Sequence, residues 1–88
     1  MQWKMLGYVL ASKYRQKVIL ALIKGERTPR EIADSTGLYL SHVSSTLSEL
    51  ENKGLVKCLT PDLRRGKLFR LTEMGKKIAK EVQKHQKH

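Results

Sequence analysis

Ser41, Ser45 and Ser48 stand four and three residues apart, the spacing that brings side chains onto one face of a helix. Asn52 continues the series, Tyr39 and His42 border its start, and Ser44 lies beside it. Hydroxyls both donate and accept hydrogen bonds, so such a face can meet base edges or phosphates of several kinds. A second set is cationic. Arg64 and Arg65 are followed by Gly66 and Lys67, a grouping suited to a hairpin tip that offers guanidinium groups to a narrow, electronegative groove. Thr28 and Arg30 form a third, smaller set ahead of the hydroxyl face.

The distribution of charge sharpens this pattern. The chain has 88 residues, 18 Lys and Arg against 8 Asp and Glu, and a formal net charge of +10. That balance points to a polyanionic partner: DNA, RNA or an acidic membrane surface. Yet all 18 basic residues lie outside Glu31–Asn52, an interval that holds Glu31, Asp34, Glu49 and Glu51. The anion is therefore expected to be held from the flanks. A bidentate Arg–guanine contact contributes roughly 1–3 kcal/mol of discrimination, and the hydroxyl-bearing segment has no residue to make one. Affinity then rests on phosphate neutralisation elsewhere, and modest sequence preference is expected.

Composition excludes several classes. Hydrophobic residues make up 40% and charged residues 30%, as in a globular domain rather than a disordered tail. A lone Cys58 permits no internal disulfide and suits a reducing, cytoplasmic setting. No apolar run approaches transmembrane length, so no membrane partner is expected. The opening Met1–Ala11 is apolar but interrupted by Lys4 and Gly7; it reads as an ordered arm or a helix start rather than a signal peptide. There is no acid–base pair, nucleophile constellation or phosphate-cradling glycine loop, so neither catalysis nor a cofactor is expected. Cys58 alternates with Val56 as a buried strand residue would, and His85 and His88 sit too near a fraying end to imply a metal site.

The elements that must position these residues follow from periodicity and caps. Tyr14, Val18, Ile19, Leu22 and Ile23 give a broad apolar helical face over about 12–24, ended by Gly25. Thr28, Pro29 and Glu31 have the spacing of a capping box with proline at the first helical position. They open a short helix to about Ser35 with Ile32 and Ala33 inward. A turn at 36–38 carries Gly37, and a third helix runs over about 40–53 with Val43, Leu47 and Leu50 buried, Leu40 close by, and Gly54 as its stop. Segments 55–60 and 67–71 read as two strands joined by a turn at 61–66. Thr72 and Glu73 then cap a last helix with Met74, Ile78 and Val82 as its apolar stripe. On that helix Glu73, Lys77 and Glu81 are spaced to pair across four residues, whereas Lys76, Lys80, Lys84 and Lys87 form an unpaired stripe.

Three helices, a two-stranded hairpin and a further helix make a mainly α fold with a small β-hairpin (α+β), the order of a winged helix-turn-helix. The expected organisation is one such domain over 1–88: an N-terminal arm at 1–11, the helix-turn-helix at 28–53, the wing at 55–71 and a C-terminal helix at 73–85. The stretch Thr28–Ala33, with Gly37, Leu38, Val43, Ser44, Leu47, Leu50, Glu51 and Lys53–Val56, resembles the core of the ArsR and MarR type transcriptional regulators. Leu71–Lys76 is similar to the segment that opens their helix after the wing, and Ala11–Arg15 is similar to small archaeal members. The resemblance implies a homodimer on double-stranded DNA, with the third helix in the major groove and the wing at 61–67 on the backbone or minor groove. It implies no metal site here, because the family's metal sensors carry a Cys pair near the recognition helix and this chain has none there.

Apolar residues in excess of a three-helix core, namely Trp3, Leu6, Val9 and Leu10 near the start and Met74, Ile78 and Val82 near the end, are expected at the dimer interface. A chain of this length leaves no room for a separate ligand domain, so an effector would use the dimer crevice; the sequence names none. Three functions remain open: a sequence-specific regulator, a general architectural binder of DNA, and a winged-helix protein-interaction module. RNA is also open, although exposed aromatics for stacking bases are expected to be few.

Overall fold

The computed structural model describes residues 2–86. Five helices and a two-stranded sheet follow in the order α1 (Trp3–Leu10), α2 (Lys13–Ala21), α3 (Pro29–Thr36), α4 (Leu40–Asn52), β1 (Val56–Cys58), β2 (Phe69–Leu71) and α5 (Glu73–His85). This is a winged helix-turn-helix. Met1, Lys87 and His88 lie outside the described residues, so the expectations for the last Lys of the α5 stripe and for His88 are not addressed by it.

The segment expected as an arm or a helix start is a helix. Leu6 and Val9, three apart, are both buried, which gives α1 an inward edge. Its end is closed by its successor: Gln16 Nε2 donates to the Leu10 carbonyl at 2.9 Å and Arg15 Nη1 to that of Tyr8 at 2.8 Å. Ser12 takes extended backbone and accepts from the Arg15 N–H at 3.3 Å, so α2 starts immediately. Helix α2 is shorter than expected. Its regular part stops at Ala21, and residues 22–25 continue as tight turns bonded three residues back.

The capping box is present in both directions. The Thr28 hydroxyl accepts from Glu31 N at 3.2 Å, and Glu31 Oε1 accepts from Thr28 N at 2.8 Å. Gly37 takes the left-handed conformation (φ 76°) that lets the chain leave α3 and turn into α4. At the far end of α4, Leu55 N donates to Leu50 O at 2.9 Å and Gly54 N to Glu51 O at 3.0 Å, the paired bonds of a Schellman ending.

The strands are shorter than the expected 55–60 and 67–71. Regular pairing is limited to Val56 with Leu71, Lys57 with Arg70 and Cys58 with Phe69. Two further bonds extend the root of the wing: Leu59 N to Leu68 O at 2.7 Å and Leu68 N to Thr60 Oγ1 at 2.9 Å. Arg27, just before α3, pairs with Phe69 through two backbone bonds of 3.0 and 2.9 Å. That bridge locks the wing's second strand to the entry of the helix-turn-helix. Helix α5 continues in regular form through His85.

The core gathers Leu6, Val9, Val18, Ile19, Leu22, Ile32, Val43, Leu47, Leu50, Leu55, Ile78 and Val82, all essentially inaccessible to solvent. This corrects the expected dimer surface. Leu6, Val9, Ile78 and Val82 are no more than 3% exposed within one chain, because α1 packs against α5 and α2. Leu10 and Met74 are half-buried against the same core, and Trp3 alone of that set projects, with 71% of its surface exposed.

Candidate nucleic-acid interface

Helix α4 turns about 100° per residue, and with Val43, Thr46, Leu47 and Leu50 buried it divides its remaining residues among three faces. Ser41, Ser45, Ser48 and Asn52 form an exposed ridge opposite the core. Leu40, Ser44 and Glu51 turn toward the wing. His42 and Glu49 turn toward α2.

On the wing side lies an open groove of about 590 Å³. The structure brings Thr28, Arg30, Ser44, Ser48, Arg64, Arg65 and Lys67 together along it. The cations therefore rim a cleft whose helical wall carries no cation, and Leu40, Leu47 and Phe69 supply apolar surface in it. Leu40, expected near the buried side, is 41% exposed because it stands in this groove rather than in the core. Glu51 is the one carboxylate among the lining residues. Sequence reading did not select it as a site residue. Tyr39, Ser41, His42 and Ser45 do not line this groove; they belong to the ridge and to the opposite flank.

That flank is built by two consecutive residues of α2. The Tyr14 ring lies 4.8 Å from the His42 ring at 47°, and Tyr39 meets His42 edge-on at 5.8 Å and 72°. Arg15 reaches two turns further along α4, with Nε 3.3 Å from Glu49 Oε1. The same guanidinium lies 3.8 Å over the Tyr8 ring, and the Lys53 ammonium lies 5.1 Å from that ring. So α2 holds α4 at His42 and Glu49, and Arg15 ties that hold to α1. Tyr14 was expected on the buried face of α2 but is 44% exposed, since the core is filled by Val18, Ile19 and Leu22 instead. Only the helical phase of α2 against α4 makes these contacts, and no local sequence signal carries that.

The lysines of α5 differ from expectation. Lys76 pairs with Glu73 and Lys84 with Glu81, each at 3.2 Å across three residues. Two members of the expected unpaired stripe are thus paired, and Lys77 has no ion-pair partner among the described residues. Cys58 is half-buried on β1 and packs against the core. Among the described residues no three His, Cys, Asp or Glu side chains lie together as metal ligands would. No helix of the described residues is long and apolar enough to cross a membrane.

With this geometry in place, three similarities are informative. The chain is 26–30% identical to several solved regulators. One is a homodimeric winged helix-turn-helix DNA-binding domain (fragment 1–100) of Mb0332 from Mycobacterium bovis, described as a possible ArsR-family transcriptional regulator. It is 30% identical, with a TM-score of 0.72, over 96% of this chain and 77% of that one. Another is NMB1585, a MarR family regulator from Neisseria meningitidis, 27% identical with a TM-score of 0.77, over 93% of this chain and 59% of that one. A third similarity is to the phenylalanine–tRNA ligase alpha subunit of Metallosphaera sedula, 49% identical over 51 residues, which is 58% of this chain and 10% of the subunit. Residues 12–57, from the cap of α2 through the middle of β1, match the family described as bacterial regulatory protein, arsR family. The chain belongs to the arsR family of bacterial regulatory proteins.

Proposed function

We propose that this chain binds double-stranded DNA as a homodimer and regulates transcription, with no catalytic role. In this reading α4 enters the major groove, and the wing at 61–67 lies over the adjacent backbone or minor groove. The observation that carries it is the groove between α4 and the wing, where Arg30, Arg64, Arg65 and Lys67 rim a helical face of small hydroxyl side chains with Glu51 as its one charge. Small side chains let a helix approach base edges closely, and Ser44, Ser48 and the ridge hydroxyls offer both donors and acceptors there. Tyr39 leaves the start of α4 without a side-chain cap, so backbone N–H groups are free for a phosphate. The homodimeric Mycobacterium bovis domain supports the dimer, and duplex DNA as partner supports a cytoplasmic location.

The absence of Lys and Arg from α4 makes the expected specificity modest, with affinity supplied by phosphate contacts. The test is enrichment of genomic DNA fragments by the purified protein near 0.15 M salt, about physiological ionic strength, with excess competitor. A shared palindromic motif supports a dimeric regulator. Retained binding without a motif identifies an architectural DNA binder, and no affinity for DNA leaves a protein-interaction module or an RNA partner. A second reading, contact with RNA, is favoured by the similarity to a tRNA ligase subunit.

A further inference from the structure

Tyr14, His42 and Tyr39 make a continuous aromatic surface that neither the core nor the groove beside the wing uses. Tyr39 is 77% exposed and Tyr14 is 44% exposed, and His42 between them is exposed as well. Sequence reading expected few exposed aromatics; the fold collects three from two helices and the turn before one of them. Cationic side chains accompany them. Lys13 and Lys17, both exposed, flank Tyr14 along α2. Tyr39 borders a depression of about 440 Å³ that also contains Arg30 and Asp34. A base stacked on Tyr39 therefore has a guanidinium nearby for its phosphate and a carboxylate to accept from a base amino group.

We infer that this surface is a stacking platform for unpaired bases of RNA, an assignment that rests on reading this side of α4 as a nucleic-acid interface. Paired bases inside a duplex present only their edges, so exposed aromatic rings find no stacking partner there. Unpaired bases in loops and bulges stack on Tyr and His rings, and basic neighbours hold the strand. Ser41 and Ser45 on the adjoining ridge supply hydroxyls for 2′-hydroxyl groups, which only RNA carries.

The test uses the full chain and an RNA hairpin with 2-aminopurine in its loop. A blunt RNA duplex of the same stem, a DNA hairpin of the same sequence and a DNA duplex are measured in parallel. Binding by the wild type is expected to quench the loop fluorophore, as stacking does. Tyr39→Ala is expected to weaken hairpin binding about tenfold, clearly more than it weakens duplex binding, and Tyr39→Phe to retain the wild-type affinity. An unchanged hairpin affinity in Tyr39→Ala overturns the platform, as does equal loss on hairpin and duplex. Equal affinity for the DNA hairpin overturns the assignment to RNA. Tight duplex DNA binding with a hairpin affinity indifferent to Tyr39 removes the platform and leaves the regulator reading intact. Tyr39-dependent hairpin binding without affinity for duplex DNA does the reverse.

Discussion

Arg15 joins three helices through one planar group: an ion pair to Glu49 at 3.3 Å, a bond to the Tyr8 carbonyl at 2.8 Å and a face-on contact with the Tyr8 ring at 3.8 Å. Its side chain is only 22% exposed, so these contacts are less screened than those of a surface pair. Arg15→Ala is expected to cost about 1.5–3 kcal/mol in chemical denaturation, the range for hydrogen bonds involving a charged group. Arg15→Lys is expected to recover less than half of that, because a compact ammonium lacks the planar fork that reaches Glu49, the Tyr8 carbonyl and the Tyr8 ring together. Full recovery by Lys would mean that charge alone matters at this position. Glu51 poses the opposite case, a carboxylate among the cations of the groove. One unit charge a few ångströms from a phosphate in a water-like medium amounts to about 1 kcal/mol. Glu51→Gln is therefore expected to tighten duplex DNA binding up to about fivefold at low salt, less at high salt. Equal affinities in a fluorescence-anisotropy titration would place Glu51 outside the contact.

Among the elements, the wing and α5 depend on different terms. Arg64 and Arg65 stand exposed at the wing tip and contribute little to folding. Their joint replacement by Ala is expected to leave thermal stability unchanged and to reduce the slope of log K against log salt by about two, one phosphate contact for each. An unchanged slope removes the wing from the interface. Helix α5 is set by Gly75, whose position is so close to the Leu55 backbone that an added Cβ would overlap the Leu55 carbonyl oxygen. The Thr72 hydroxyl fixes the same corner, donating to Gly54 O at 2.6 Å and accepting from Gly75 N at 3.0 Å. Gly75→Ala is expected to destabilise the fold by about 1–3 kcal/mol despite the better helix propensity of Ala, since a backbone neighbour cannot yield as a side chain can. An unfolding midpoint equal to wild type would show that α5 can shift. These elements also show what was legible beforehand. The capping box at Thr28, the turn at Gly37 and the stop at Gly54 are local signals, and the boundaries of α3 and α4 follow within a residue or so. The Arg27–Phe69 bridge joins residues far apart in sequence, and nothing in their own neighbourhoods announces it. The α5 ion pairs formed at three-residue rather than four-residue spacing, a choice between adjacent turns that charge pattern alone leaves open.

For the molecule as a whole, the apolar surplus near the N-terminus was legible, but its destination was not. A helix that buries Leu and Val residues reads the same whether it packs on its own chain or on a partner. Here Leu6 and Val9 complete the chain's own core against α5 and α2, which leaves Trp3 as the large apolar residue of α1 that the core leaves exposed. An aromatic that is 71% exposed is the kind of side chain that anchors an interface when a second surface covers it. The two positions therefore separate folding from the proposed association. Leu6→Ala is expected to cost about 2–5 kcal/mol of stability, as buried Leu truncations do. Trp3→Ala is expected to leave the unfolding of the monomer almost unchanged and to raise the dimer dissociation constant about tenfold or more, as loss of an anchoring aromatic does. Light scattering across a concentration series reads the second effect, and denaturation at concentrations below the dimer range reads the first. If Trp3→Ala and wild type dissociate at the same concentration, the partner meets this chain elsewhere. A wild type that stays monomeric at every concentration would remove the homodimer itself, and the spacing of any DNA half-sites would then need another explanation.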